Sequence, residues 1–519
     1  MSTLLIQALQ DAQLYPHEVH EFRILETHIS WVLLTGSYAY KIKKPVNLGF
    51  LDFSTLAQRR YFCDEELRLN RRFAPQLYLE VVTIHGTPQQ PRFADSGPVI
   101  EYAVKMLQFE QQNRVDALLA NNQLGIDDIG RFALDLAALH AQAPCAPAAS
   151  AFGTAQTVWA PMAENFTQLR ALGLERDNIV ALEKLEQWSR AEFAHQQQEL
   201  NERKRAGYVR ECHGDLHTRN LVRIGAHVAA FDCLEFNAGL RWIDVLNEVA
   251  FLLMDLEACG QPAFAWRFLN SYLEASGGYA GVRLLPLYLT YRALVRAKVA
   301  GLQARPEAHV QFQQYFSQAQ RYITPAKPVL AIMQGLSGSG KSTLSQQLAD
   351  RLGLIRVRSD VERKRMFACA PQASGDSGLD KGLYAAAATD AVYQHLAALA
   401  ETLLTAGFSA VLDATFLQRA QRGLLRAVAQ RAQVPFVIIR CHAPREFLEH
   451  AITQRAQTGG DASEADLQVL EHQIAVQQAL DGTEIAESIE VDASVSFDAA
   501  AVAQQLRRYF AQMSSPGFQ

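Results

Sequence analysis

In the first hundred residues, apolar and β-branched side chains come in short runs separated by turn residues. WVLLTG (31–36), YAYKIKK (38–44), YLEVVTI (78–84) and VIEYAVKML (99–107) each read as a β-strand. Between them, residues 54–73 set Leu56, Phe62, Leu67 and Leu69 among charges, which predicts an amphipathic helix with Ser54 as its N-cap. From about 126 to 205 the spacing turns helical, in IDDIGRFALDLAALHAQ and IVALEKLEQWSRAEFAHQQQELNERKR, with PCAPAAS (144–150) as a loop between them. Residues 208–236 predict short strands around a polar loop, and helical patterning then runs to about 322. Within 241–257, Trp242, Val245, Leu246 and Val249 recur at helical spacing and read as core. ITPAKP (323–328) reads as a linker, and the rhythm after it is strand, glycine loop, helix, strand. VLAIMQG (329–335), LIRVRSD (354–360), FSAVLDATF (408–416) and VPFVIIRCHAP (434–444) are its apolar strands, the pattern of a parallel α/β sheet. The chain therefore divides into two modules, 1–325 and 326–519, ending in a frayed SSPGFQ tail.

Composition narrows the class. A chain of 519 residues is too long for one core, and with 49% hydrophobic and 20% charged residues it is neither disordered nor fibrous. The net charge of −5 argues against nucleic-acid binding through bulk charge. Seven cysteines stand singly with no CxxC pair, which fits buried thiols in a reducing compartment rather than a disulfide frame or zinc site. The N-terminus lacks a basic n-region, and no run approaches the roughly 18 apolar residues of a membrane span. The expectation is a soluble, cytoplasmic protein with no membrane partner.

The second module opens on a phosphate cradle. After the strand 329–335 come Gly335, Ser337, Gly338, Ser339, Gly340, Lys341, Ser342 and Thr343, in the G-x-x-x-x-G-K-S spacing, and then an amphipathic helix. Glycines let backbone N–H groups turn toward phosphate oxygens, and the helix N-terminus adds positive potential at the same point. Lys341 is placed for the β/γ-phosphates and the Ser342 hydroxyl for Mg²⁺. Asp360 ends the next strand, where an open sheet places ligands, and is a candidate general base or orienting group for an acceptor hydroxyl; capping of the following helix is compatible with that role. Asp413 ends a further strand and is a candidate Mg²⁺ carboxylate, with Thr415 beside it. Arg445 and Arg455 lie on a helix before a Gly459–Gly460 hinge, and Arg455, nearer the hinge, is the candidate to stabilise transferring charge. On these residues the stretch from about 328 to 512 resembles the small P-loop kinases of the gluconate kinase, zeta toxin, chloramphenicol phosphotransferase and polynucleotide kinase group. The resemblance implies a P-loop NTPase fold with nucleotide and transfer roles for Gly340, Lys341, Ser342, Asp360 and Arg455.

The first module carries a second constellation. ECHGDLHTRNLVRIGAHVAAFDCLEF holds His213, Gly214, Asp215, Asn220 and, twelve residues on, Asp232. The H-x-D-x-x-x-x-N spacing with a later strand-borne aspartate matches a kinase catalytic loop and its metal aspartate. Asp215 is then the group facing the acceptor hydroxyl, Asn220 and Asp232 are the Mg²⁺ ligands, and His213 props the loop. Such a site needs a strand lysine paired with a helix glutamate. Lys41 is preferred over Lys43, and Glu66 over Glu65. EYAVKMLQF (101–109) is a candidate adenine hinge, and Gly36 marks the one turn able to cover phosphates. Asp244 is placed to hydrogen-bond back toward the catalytic loop, while Arg59, Arg60, Arg71 and Arg72 read as a solvated helix face. His140, His217 and His227 are given no metal role. Residues 1 to about 320 resemble the aminoglycoside phosphotransferase family, and TGSYAYKIKKPVNLGFLDFST resembles its branch fused to a P-loop kinase. That implies an α+β protein-kinase-like bilobal fold, with a small lobe to about 107 and a helical large lobe over 108–322; antibiotic phosphorylation does not follow.

Together these readings give a bifunctional ATP-dependent, Mg²⁺-assisted phosphotransferase acting on small-molecule hydroxyl acceptors. The alternatives are an ATP-binding sensor module controlling the second kinase, or a 5′-hydroxyl polynucleotide kinase in the second module, for which RKR (363–365) is the basic feature.

Overall fold

The computed structural model describes residues 2–49, 51–93, 97–303, 306–324, 327–367, 386–458, 466–495 and 498–513. Pro325 and Ala326 of the expected linker, Cys369, the Gly459–Gly460 hinge and the tail from 514 lie outside the described residues. The chain packs into two compact units, Met1–Cys259 with Tyr291–Phe312, and Gly260–Thr290 with Gln313–Gln519. This division differs from a single boundary near 325 over residues 260–290 and 313–325; in the first of these, the helix Pro262–Ser276 packs on the P-loop helix and its neighbouring strand.

The first unit opens with an antiparallel sheet of β1 (Arg23–Glu26), β2 (Ser30–Leu34), β3 (Tyr38–Lys43), β4 (Tyr78–Thr87), β5 (Gln90–Arg92) and β6 (Val99–Leu107). The strand order is β1-β2-β3-β6-β4-β5. Alternation along β3 sets the chemistry. Tyr40 and Ile42 point into a core with Leu5, Ile6 and Leu9 of the N-terminal segment, and Lys41 and Lys43 point to the opposite face, where helix Leu56–Asn70 lies. That helix is capped by Thr55, not by Ser54. The Gln58 N–H donates to Thr55 Oγ1 at 3.2 Å while the Thr55 N–H donates to Gln58 Oε1 at 3.1 Å, a reciprocal box that the spacing allows one residue later than expected.

Two of the four arginines expected on a solvated face, Arg59 and Arg72, depart from it. Arg59 is buried against Glu101 through a two-oxygen pairing at 2.8 and 2.9 Å. Arg71 donates to the carbonyls of Tyr78 and Leu79, and Arg72 to that of Glu211 at 2.8 Å. Arg60, 3.8 Å from Asp64, and Arg71 stay exposed. A buried carboxylate draws in Arg59 and a strand carbonyl Arg72, because each guanidinium can satisfy several acceptors at once.

Beyond the sheet, β7 (Val209–Glu211) pairs antiparallel with β10 (Trp242–Asp244), and β8 (Leu221–Ile224) with β9 (His227–Ala230). Trp242 is thus a strand residue, partly buried and stacked on Phe152 at 5.5 Å between ring centroids, rather than a helical core position. The helix begins at Val245 and runs to Ala258, buried on every side, with Val245, Leu246 and Val249 in the core. It takes Asn247, Glu248 and Asp255 inside with it, so each must find a partner there.

In the second unit, β11 (Leu330–Gln334), β12 (Ile355–Arg358), β13 (Ala410–Asp413), β14 (Phe436–His442) and β15 (Ser488–Asp492) form a parallel sheet in the order β12-β13-β11-β14-β15. Central β11 is buried at every residue, and Ala331, Met333, Val411, Val437 and Ile439 pack with Leu344 and Leu348 of helix Lys341–Leu352. The strand expected over 354–360 stops at Arg358; Ser359 and Asp360 open the helix Ser359–Phe367. Among the described residues, no helix is long and apolar enough to cross a membrane.

Candidate active sites

In the first unit, β3 and helix Leu56–Asn70 bring a lysine pair onto one buried carboxylate. Lys41 Nζ lies 2.7 Å from Glu66 Oε1 and 2.5 Å from Asp232 Oδ1. Lys43 Nζ donates to Glu66 Oε2 at 2.7 Å and also to Glu235. Glu65 turns the other way, to Arg68 at 2.9 Å. Burial opposes a charge on Glu66, but the two ammonium groups outweigh it and hold that carboxyl below the ordinary range. Burial pushes Glu235 upward, with the charge of Glu66 adding to it. Glu66 is therefore the carboxylate that stays ionised between the lysines.

Asp232 follows β9 with φ of +62°, in the left-handed region that aspartate tolerates better than most residues. Its N–H donates to the Tyr78 hydroxyl at 3.0 Å, and the next N–H, of Cys233, donates to Asn70 Oδ1 at 2.9 Å. Asn70 Nδ2 in turn donates to the Glu66 carbonyl at 2.8 Å, so one amide ties the helix bearing Glu66 to the loop bearing Asp232.

The polar loop between β7 and β8 places Asp215. Asn220 Nδ2 donates to Asp215 Oδ2 at 3.0 Å and to its carbonyl at 2.9 Å. Burial would raise the Asp215 carboxyl, yet His217, whose Nε2 is 3.5 Å away, together with Arg296 and His213, holds it well below the usual carboxylate range. Its side chain keeps 40% of its surface open, so it is reachable. His217 thus has a partner in Asp215. His213 is fully buried with Nε2 at 2.9 Å from the Phe231 carbonyl, and burial holds it in the neutral form.

The loop is braced by a residue the sequence did not single out. Gly214 has φ of +88°, and a Cβ there would meet the Leu240 carbonyl oxygen at 3.1 Å. Its N–H donates to Glu248 Oε1 at 2.7 Å, while Glu248 Oε2 is 2.8 Å from His140 Nε2. Asp244, expected to reach this loop, instead pairs with Arg203 at 2.6 and 2.8 Å and caps its own helix through the Leu246 N–H. The helical register explains the exchange: Asp244 sits at the N-cap, and Glu248 lies one turn inside, on the buried face. His140, Cys212 and Glu248 come close enough to share a metal ion, but both oxygens of Glu248 are already engaged in hydrogen bonds. His227 is exposed at the start of β9.

In the second unit, a cavity of about 340 Å³ opens above the C-terminal ends of β11, β12 and β13. Ser337, Gly338, Ser339, Gly340, Lys341, Ser342 and Thr343 form one wall, and Asp360, Asp413, Thr415 and Arg455 complete it. Gly335 does not line it. Its φ is +146°, and a Cβ there would come 2.2 Å from the Cys441 carbonyl oxygen, so its part is the close passage of the loop past β14. Lys341 Nζ donates to the Leu336 carbonyl at 2.6 Å, and burial lowers its pKa. Asp413 Oδ2 accepts from Ser345 Oγ at 3.1 Å. Arg445 is on the outside of its helix, paired with Glu449 at 2.7 Å and with Glu471, away from the cavity.

Several lining groups had no sequence signal. Gln473 on helix Leu467–Val476 accepts from the Ser337 N–H at 2.8 Å and donates to Ser337 Oγ at 3.0 Å. Leu448, Ile452 and Leu470 pack beneath it against Leu336, so two helices clasp the tip of the glycine loop. Arg363, Thr389, Tyr393 and Gln418 also line the cavity. Arg365 of the RKR run binds Glu362 and the Glu274 carbonyl.

The donor groups at both sites are of the kind that a divalent cation takes. The glycine loop offers a cradle with positive φ at Gly338 and Gly340 ahead of a helix N-terminus, and Ser342 and Asp413 are oxygen donors at its edge. Asn220 and Asp232 are the oxygen donors of the first unit, beside the cation of Lys41.

The model of the AAA_33 family, an AAA domain, matches residues 330–480. The uncharacterized protein Rv2004c of Mycobacterium tuberculosis is 30% identical over 449 residues, 85% of this chain and 87% of that protein, and the uncharacterized protein Mb2027c of Mycobacterium bovis matches equally. Among solved structures, a choline/ethanolamine kinase family protein from Mesorhizobium loti aligns with 62% of this chain and 99% of its own, at 13% identity and a TM-score of 0.38. A gluconokinase from Sinorhizobium meliloti aligns with 36% of this chain and 94% of its own, at 18% identity and a TM-score of 0.26. At 30% identity over most of both chains, the chain belongs to the family of these mycobacterial proteins.

Proposed function

We propose that the chain is a bifunctional ATP-dependent phosphotransferase, each unit moving a γ-phosphoryl group to the hydroxyl of a small-molecule acceptor. The observation that carries this reading is the gathering of Lys341, Ser342, Asp360, Asp413 and Arg455 around one cavity. The Lys41–Glu66–Asp232 cluster and the Asp215–Asn220 pair support it in the first unit.

In the P-loop site, backbone N–H groups of 338–343 and Lys341 bind the phosphates, Asp360 orients the acceptor hydroxyl, and Arg455 faces charge on the transferring group. In the first unit, Lys41 holds phosphate oxygens, while Asp215 orients the acceptor hydroxyl and takes its proton as the bond to phosphorus forms. Because Asp215 is held in the ionised form, orientation is its main contribution. When bound, Mg²⁺ held by Asn220 and Asp232, or by Ser342 and Asp413, supplies charge neutralisation on the phosphate oxygens. An ATP-consuming enzyme with buried, unpaired thiols at Cys63, Cys212, Cys233 and Cys441 suits a reducing, cytoplasmic setting.

The test is transfer of label from γ-labelled ATP to a metabolite extract, with wild type, Asp215→Asn and Lys341→Ala. Each variant is expected to lose a different labelled product. If one variant abolishes all transfer and the other none, one unit is not an active kinase; a labelled oligonucleotide 5′-end would replace the small-molecule acceptor in the second unit.

A further inference from the structure

The edge of the P-loop sheet is completed by residues that precede it by about eighty positions in the chain. Strand β12 is an outer strand, and its open side is covered by helix Pro262–Ser276 of the same unit. Asn270 acts there as a neighbouring strand would: its Nδ2 donates to the Leu354 carbonyl at 2.9 Å, and its Oδ1 accepts from the Arg356 N–H at 2.7 Å. Arg267 pairs with Asp350 of the P-loop helix at 2.7 Å, and Trp266 lies against Gly353, where a Cβ would meet the indole at 2.9 Å.

One carboxylate on this helix governs two guanidinium groups under the proposed metal site. Glu274 Oε2 accepts from Arg356 Nη2 at 2.9 Å, and Glu274 Oε1 accepts from Arg358 Nη1 at 3.2 Å. Arg356 Nη1 also donates to the Ser342 carbonyl at 3.2 Å, fixing the peptide that bears the Ser342 hydroxyl. Arg358 Nε stands 3.9 Å from Asp413 Oδ2. All three side chains are largely buried, with 8% of Arg356, 14% of Arg358 and 21% of Glu274 accessible, so solvent screens their charges weakly.

We infer that Glu274 is a positioning residue of the P-loop site: it holds Arg356 beneath Ser342 and balances the charge of Arg358, leaving Asp413 able to serve a divalent cation. The inference rests on the P-loop reading above. Without the Glu274 charge, Arg358 is drawn onto Asp413 and competes with the cation for it.

Calorimetric titration of the full chain with ADP over a series of Mg²⁺ concentrations tests this. The P-loop component is the one that Lys341→Ala removes. Glu274→Gln is expected to raise the Mg²⁺ needed to half-saturate that component on the order of tenfold. Adding Arg358→Gln to it is expected to bring the requirement back toward wild type, a rescue that loss of packing would not give. Should Glu274→Gln fail to fold, Arg358→Gln alone carries the test, with a lowered Mg²⁺ requirement expected. An unchanged requirement in Glu274→Gln, no rescue in the double variant, or a raised requirement in Arg358→Gln overturns the inference. If Lys341→Ala removes no component, the P-loop reading beneath it falls instead.

Discussion

At the scale of single residues, the first unit rests on an unequal sharing of charge. Glu66 sits between Lys41 and Lys43, while Lys41 alone extends to Asp232. The β-strand period places both lysines on one face but cannot say which reaches the loop, since that depends on where β9 ends relative to β3. Glu235 was invisible as a partner because it lies in an apolar run, FDCLEF, and its role appears only once Lys43 is buried beside it. The charge on Glu66 also fixes a pH dependence. Its carboxyl is held below the ordinary value of 4.5 in the folded chain, so its contribution to stability is complete above that value and is lost as acid protonates it. Equilibrium unfolding between pH 2 and 6 is therefore expected to show a steeper acid limb for wild type than for Glu66→Gln, the difference approaching one proton. Equal slopes would mean that Glu66 does not hold its charge between the lysines.

At the scale of elements, positions follow from turn and helix chemistry more closely than contacts do. The helix N-cap is a local feature, expected at Ser54 and found one residue later at Thr55. The clasp around the P-loop tip is not local. Gly338 has φ of +84°, and a Cβ there would lie 2.7 Å from the Leu448 carbonyl oxygen, so the helix Arg445–Thr458 rests directly on the loop. Gly338→Ala combines backbone strain of roughly 1–3 kcal/mol with displacement of the helix that carries Arg455. Nucleotide affinity at the P-loop site is expected to fall by about tenfold or more, with the other site unchanged in the same binding titration. An alanine variant that binds as wild type would show that the helix contact does not shape the cradle.

At the scale of the whole molecule, the second unit is discontinuous in sequence. Helix Pro262–Ser276 supplies the edge partner of β12 and the Arg267–Asp350 pair, so a fragment beginning at residue 327 leaves that edge open. Such a fragment is expected to self-associate and to lose ADP binding, judged by light scattering and titration against the intact chain. A monodisperse, ADP-binding fragment would show that the helix is dispensable.

Local chemistry by itself marked the two candidate motifs, the strands beside them and the candidate residues Asp215, Asn220, Asp232, Lys341 and Asp360, because glycine loops and strand ends constrain their neighbours within a few positions. It also marked Lys41 and Glu66 as a candidate pair, since a strand face and a helix face are periodic. Only the tertiary structure decided that Glu248 rather than Asp244 braces the loop bearing Asp215, that Gln473 bonds the P-loop tip, and that Glu274 stands behind its arginines. Each is a polar group carried into the interior on an otherwise ordinary helix, where burial without a partner is costly. Which partner it meets is set by packing between elements far apart in the chain.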